Sequence, residues 1–207
     1  MLKRAISIDQ ITKMKFKTMK FDGAFADSFG VEVDRTGNWI IYGNSGHGKT
    51  TLCLMLAKYL TQFGRVAYDT IEEGARLSFQ KAIIRHKFNA IEKRRFIIIS
   101  EELPDIIERL SRQKSPDFIF IDSLQFLGIS KAEYKKLVRM FPTKLFIWIS
   151  HADGKKPYGT LAEYVEYNGD VKIRVEGFKA IVKGRFGQDE DFIINAEKAA
   201  NYWNDLT

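Results

Sequence analysis

The chain is expected to form one α/β domain, with a mostly parallel sheet, helices on both faces and a C-terminal antiparallel meander. Three observations predict this. Short apolar runs at 39–42, 66–68, 96–99, 118–121 and 145–149 alternate with helix-like segments. A G-x-x-x-x-G-K-T stretch at 43–50 lies between the first of these runs and the first long helix. The tail, by contrast, breaks into three short strand-like runs at 171–175, 178–183 and 191–195. A length of 207 residues, 45% hydrophobic and 13% aromatic, suits a single packed domain over 1–207.

The elements follow in order. Residues 1–24 open as a basic arm, with Lys3, Arg4, Lys13, Lys15, Lys17 and Lys20 in the first twenty against Asp9 alone. Phe29–Val33 and Trp39–Tyr42 read as two short strands around a Gly-containing turn. Several of the later runs are apolar without alternation, as strands covered on both faces must be. Helices are expected over Lys49–Phe63, Ala75–Arg85, Leu103–Gln113 (Pro104 in the first turn) and Ser130–Met140 (Ser130 as cap).

Composition narrows the function classes. Lys and Arg number 33 against 26 Asp and Glu, a net charge of +7. Part of the excess sits in 1–20 and part in 81–95, where Lys81, Arg85, Lys87, Lys93, Arg94 and Arg95 face only Glu92. Basic segments favour polyanionic partners and are also compatible with plain solvated faces. No apolar run is long enough to span a bilayer, and no secretory signal pattern opens the chain. The single Cys53 and the absence of zinc-type Cys/His spacing fit a reducing, cytoplasmic setting.

The stretch Gly43-Asn44-Ser45-Gly46-His47-Gly48-Lys49-Thr50, with Thr51 behind it, carries the chemistry. Glycines let successive backbone N–H groups turn inward on phosphate oxygens, and the following helix adds its positive end. Lys49 is expected on the β- and γ-phosphates of ATP and Thr50 on Mg²⁺. Asp122, ending an apolar strand, is the candidate second Mg²⁺ ligand, acting through water. No Glu follows Asp122, so the carboxylate that activates water is sought after the 66–68 run, at Glu72 or Glu73.

These residues together resemble the RecA-like ATPases, in particular the RadA, DnaB and KaiC branches. Val-Ala-Tyr-Asp-Thr-Ile-Glu-Glu (66–73) is similar to the strand and catalytic Glu of that family. Ile149-Ser150-His151 falls where the family places its γ-phosphate sensor, and residues 159–163 look like the Gly-containing segment that follows it in RadA. Lys183-Gly184-Arg185-Phe186-Gly187 resembles the Lys-x-Arg element that reaches a neighbouring subunit's nucleotide. The resemblance covers roughly residues 25–195 and implies a RecA-like P-loop NTPase core. It implies ATP hydrolysis with catalytic roles for Lys49, Glu72 or Glu73, His151, Lys183 and Arg185. It also implies a homo-oligomeric ring or filament with shared active sites, working on DNA in replication, recombination or repair. The chain departs from the family in the short stretch after Asp122. Only the second DNA-contacting loop, residues 151–170 with Lys155, Lys156, Tyr158, Tyr164 and Tyr167, has the size to meet single-stranded DNA. Two other readings stay open: an ATP-dependent switch or assembly protein that binds no DNA, and a phosphotransferase, which lacks any acceptor-pocket or Arg-rich lid signature.

Overall fold

The computed structural model describes residues 5–72, 74, 76–184 and 190–204. Expectations that fall on Glu73 and Arg185 lie outside the described residues. The chain opens with α1 (Ile8–Thr12), β1 (Thr18–Lys20), α2 (Gly23–Phe29) and β2 (Glu32–Asp34). The core follows as β3 (Gly37–Gly43), α3 (Lys49–Leu60), β4 (Val66–Asp69), α4 (Leu77–Arg85), α5 (Ala90–Arg95), β5 (Phe96–Ile99) and α6 (Leu103–Ser111). It continues through β6 (Phe118–Asp122), α7 (Leu124–Leu127), α8 (Lys131–Met140) and β7 (Leu145–Ser150). The last elements are β8 (Ala152–Asp153), β9 (Lys156–Pro157), α9 (Thr160–Asn168), β10 (Val171–Glu176), β11 (Lys179–Gly184), β12 (Phe192–Ile193) and α10 (Ala196–Asn204).

The main sheet has eight strands in the order β12-β11-β10-β3-β7-β6-β4-β5. From β10 to β5 every pairing is parallel. Alternate side chains of the central strands therefore enter two separate cores. Trp39, Ile41, Tyr68, Phe118, Phe120, Ile147 and Ile149 face the side covered by α3 and the N-terminal segment. Ile40, Tyr42, Ile119, Ile121, Phe146 and Trp148 face the side covered by α6, α8 and α9. Burial of a large apolar side chain contributes about 1.5–3 kcal/mol, so this double layer is the main source of stability. Capping follows expectation at α8, where Ser130 and Glu133 form a reciprocal capping box, and Pro104 sits in the first turn of α6.

One expected feature is extended and two differ from the sequence reading. The tail forms the expected antiparallel meander, β10 with β11 and β11 with β12, and its first strand also joins the parallel sheet, Val171–Val175 pairing in parallel with Trp39–Gly43. The cause is α9, which carries the chain back across the sheet, as a parallel connection requires. The stretch 151–170 is consequently not a loop but the small β8–β9 hairpin followed by α9, anchored by buried Ala162 and Val165. Finally, β2 pairs with β1 rather than with β3. Both edges of β3 are occupied, by β7 and β10, so no ladder position is left for β2.

The N-terminal segment divides at β1. Helix α1 buries nothing, whereas Met19, Phe21, Phe29 and Val33 belong to the core. Phe21 lies edge-on to Trp39 and Tyr59 and stacked on Phe63. The Tyr59 hydroxyl donates to Asp22 Oδ1 at 2.6 Å and accepts the Asp22 N–H at 2.8 Å. Burial first, then the bond to Asp22, pushes the Tyr59 phenol up to about 12. We expect Tyr59→Phe to lose about 1–2 kcal/mol of stability in urea titrations and to speed tryptic cleavage among Lys13, Lys15, Lys17 and Lys20. Equal cleavage rates would show that this clasp does not hold the segment.

Candidate active site

Because β3, β7, β6 and β4 are parallel, their C-terminal ends open on one edge, and the chain following each contributes to the same cavity of about 490 Å³. Ser45, Lys49 and Thr50 come from the loop and helix after β3, and Glu72 and Arg76 from the chain after β4. Asp122, Ser123 and Phe126 come from the end of β6 and the chain after it, and Ile149, Ser150 and His151 from the end of β7 and the residue after it. Crevices outside strand C-termini are where parallel α/β sheets bind ligands.

The loop itself is shaped by backbone constraints. At Gly43 a Cβ would lie 2.2 Å from the Val175 carbonyl oxygen, so only glycine permits β10 to pair this close to the loop. Gly48 caps α3 in the left-handed region, with φ +99. Lys49 Nζ donates to the Asn44 carbonyl at 3.1 Å, which folds its side chain across the loop. Burial pulls the Lys49 ammonium below its ordinary pKa, against the opposing pull of Cys53, Asp122 and Glu72. Gly177 N–H donates to His47 Nδ1 at 3.0 Å, and Phe178 N–H donates to the His47 carbonyl, tying the loop to the β10–β11 turn.

The acidic side of the cavity is equally ordered. Asp122 Oδ2 accepts from the Tyr68 hydroxyl at 2.6 Å, and the Asp122 carbonyl accepts from the Glu72 N–H at 3.2 Å. Glu72 Oε2 lies 3.2 Å from His151 Nε2, so the water-activating candidate and the phosphate-sensing candidate are in contact. Gln125 secures the far wall by donating to Ser150 Oγ and to the Tyr158 carbonyl, both at 2.7 Å. Asp69, at the end of β4, is fully buried; its Oδ1 accepts the Glu101 N–H while its Oδ2 has no hydrogen-bond partner among the described residues. Desolvation raises the Asp69 carboxyl to about 6.

The structure thus gathers Lys49, Thr50, Glu72, Asp122 and His151, with Thr51 beside Thr50 in the first turn of α3. Lys183 is elsewhere. It is exposed on β11, opposite Lys172, near the strand end that pairs with the start of β10, away from the loop after β3. Sequence reading assigned no role to Tyr68, Asp69 or Arg76. A Tyr or Asp inside a buried strand gives no signal beyond core or strand end.

A triphosphate with Mg²⁺ fits these side chains. Lys49 has lost water and has no carboxylate within ion-pair distance among the described residues, as a phosphate-binding ammonium needs. Among the described residues no cluster of three His, Cys, Asp or Glu side chains could hold a metal alone. Mg²⁺ commonly takes one or two protein oxygens and completes its shell with phosphate and water, which Thr50 and Asp122 would serve.

No protein-family model matches the chain, and no curated protein matches it. Solved structures do. The flagellar accessory protein FlaH from Methanocaldococcus jannaschii superposes with a TM-score of 0.59 at 17% identity, over 84% of this chain and 89% of that one. The KaiC-like protein PH0186 from Pyrococcus horikoshii OT3 gives 0.61 at 18%, over 86% and 93%. The chain has the RecA-like P-loop ATPase fold. Among the described residues no helix is long and apolar enough to cross a membrane.

Asp69 gives a testable pH signature. Its folded pKa lies above the ordinary carboxylate value, so the folded state holds the proton more tightly. That contribution is complete below about pH 4 and is lost as pH rises through about 6. Asp69→Asn should therefore gain stability over wild type, by about 2–3 kcal/mol, between pH 4 and pH 7. Urea unfolding of both proteins across that range checks it, and a pH-independent difference would mean that Asp69 is not protonated in the folded protein.

Proposed function

We propose that this chain binds Mg-ATP and hydrolyses it. The observation that carries the reading is the meeting of Lys49 and Thr50, Asp122, and the Glu72–His151 pair in one cavity. Loop N–H groups and Lys49 hold the phosphates and offset negative charge at the transferred group. Glu72 accepts the proton of the attacking water, and His151 both positions that carboxylate and faces the γ-phosphate. Bound Mg²⁺ supplies further charge neutralisation at the phosphates. Lys49→Ala should abolish hydrolysis in a folded protein. Glu72→Gln should keep nucleotide binding while slowing turnover by about two or more orders of magnitude. Nucleotide titration beside phosphate-release rates checks both, and normal turnover in Glu72→Gln would move the base to Glu73 or elsewhere.

We further propose a homo-oligomer in which Lys183 and Arg185 complete a neighbour's site, acting in DNA replication, recombination or repair. The support for sharing is the distance along β11 between Lys183 and the chain's own phosphate loop. A head-to-tail contact of this kind closes into a ring or continues as a filament. Specific activity should then rise with protein concentration. Lys183→Ala and Glu72→Gln, each slow alone, should recover part of the rate when mixed, because some interfaces pair an intact Glu72 with an intact Lys183. Constant specific activity and no recovery would return Lys183 to an ordinary surface role.

A second reading, an ATP-dependent switch for a protein partner, draws on one specific observation. Part of the segment expected to meet single-stranded DNA is packed: Tyr164 is partly buried, with Lys131 and Lys135 4.8 and 5.0 Å from its ring centre, while Tyr158 and Tyr167 are exposed. One structural neighbour is itself described as a flagellar accessory protein. Stimulation of hydrolysis by single-stranded DNA separates the two readings.

A further inference from the structure

We propose that the sheet edge opposite the phosphate loop is a single-stranded nucleic-acid site, a basic channel made where the parallel strands begin. This rests on the nucleic-acid reading above and gives it a place. Six parallel strands start on that edge, and the chain leading into four of them carries these cations: Arg65 before β4, Arg94 and Arg95 before β5, Lys114 ahead of β6 and Lys144 before β7.

Three clefts of about 650, 350 and 560 Å³ join along this edge. The first two share Arg65, Arg94, Arg95 and Lys114, and the first and third share Asp117. Lys and Arg outnumber Asp and Glu ten to two among their lining residues; three of the ten, Arg35, Arg109 and Arg112, are paired with Asp117, Glu101 and Glu108, which leaves seven cations. The two basic stretches of the sequence meet here, since Lys15 and Lys17 line the third cleft and Arg94 and Arg95 the other two.

Several of these cations are held by carbonyl and hydroxyl oxygens rather than carboxylates, so they are oriented without being neutralised. Arg95 donates to the carbonyls of Thr61 and Gln62, at 2.9 and 3.2 Å. Arg65 donates to the Lys114 carbonyl, and Lys144 to Ser115 Oγ at 2.8 Å. Asp117 ties the floor together by accepting the Arg65 N–H at 3.0 Å and pairing with Arg35 at 3.3 Å. The exposed Arg94 and Lys114 have no carboxylate within ion-pair distance among the described residues.

Arginine-rich walls suit phosphate oxygens, which guanidinium groups bind through paired N–H donors. Phe16, 62% exposed between Lys15 and Lys17, offers a ring for an unpaired base to stack on. A phosphate-lined strand with accessible bases matches both features. A bilayer surface would instead meet a concave, arginine-lined channel.

The test measures binding of a fluorescent oligothymidylate by anisotropy across a salt series, with wild type, Arg94→Gln/Lys114→Gln and Lys155→Gln/Lys156→Gln. The first double variant should bind about tenfold or more weakly at low salt. Its log–log salt slope should be shallower by about 1.4, roughly 0.7 for each phosphate no longer neutralised. Its ATP hydrolysis without nucleic acid and its melting temperature should match wild type. Loss confined to the Lys155/Lys156 variant would overturn this channel and leave the nucleic-acid reading standing. Wild type that binds no oligonucleotide at low salt would overturn both, whether or not it binds vesicles containing phosphatidylserine. Tighter binding of duplex than of the single strand would overturn the assignment to single strands.

Discussion

The active edge depends on strand β3 being held on both sides. β7 fixes one flank as far as Tyr42 and β10 the other as far as Gly43, the residue where the phosphate loop begins. The loop therefore springs from a backbone whose position is set by two ladders of hydrogen bonds, not by its own flexible residues. The glycine there is demanded by the approach of the Val175 carbonyl. Helix α3 then descends from the loop into the larger core through Leu52, Leu56 and Leu60, which anchors the loop's other end. Rigid supports on both sides are what a preorganised anion site needs, because ordering is already complete before the ligand arrives.

Electrostatics at the same edge are unbalanced in a useful direction. Asp69 and Asp122 close the ends of β4 and β6, Glu72 follows β4, and Lys49 stands opposite, short of water. Asp69 responds by holding a proton to about pH 6. Lys49 is kept charged partly by Asp122 and Glu72. On the proposed reading, a polyphosphate accompanied by a divalent cation would bring negative charge to Lys49 and positive charge to Asp122. Burial that costs stability would then contribute affinity for that ligand pair.

How much is legible in the sequence depends on whether a residue's role is local. The phosphate loop is readable because its backbone demands glycines at fixed spacing. The parallel strands are readable because burial on both faces removes alternation, as in Phe118–Ile121. Asp122 and Glu72 could be placed on one edge because a parallel sheet brings strand ends together. Helix α9 reads as a loop because its polar and aromatic residues, among them Glu163, Tyr164 and Tyr167, mask the apolar pair Ala162 and Val165. That one omission also hides the parallel pairing of β10 with β3. The Tyr68–Asp122 bond has no sequence signal, since partners 54 residues apart are joined only by the fold. The pairing of β2 with β1 is equally hidden, because it follows from the crowding of β3.

The link from His47 to the turn after β10 has a mechanical consequence. The His47 ring accepts the Gly177 N–H and lies edge-on to Tyr202, and Trp203 donates to the Gly177 carbonyl at 3.2 Å. Phosphate loop, hairpin turn and C-terminal helix are therefore coupled as one lever, whose long arm is β11 and whose short arm is the loop. A force on the far end of that strand would be delivered to the loop after β3, whose proposed role is to grip phosphate. By thermodynamic reciprocity, any change in grip is returned along the strand with the same free energy.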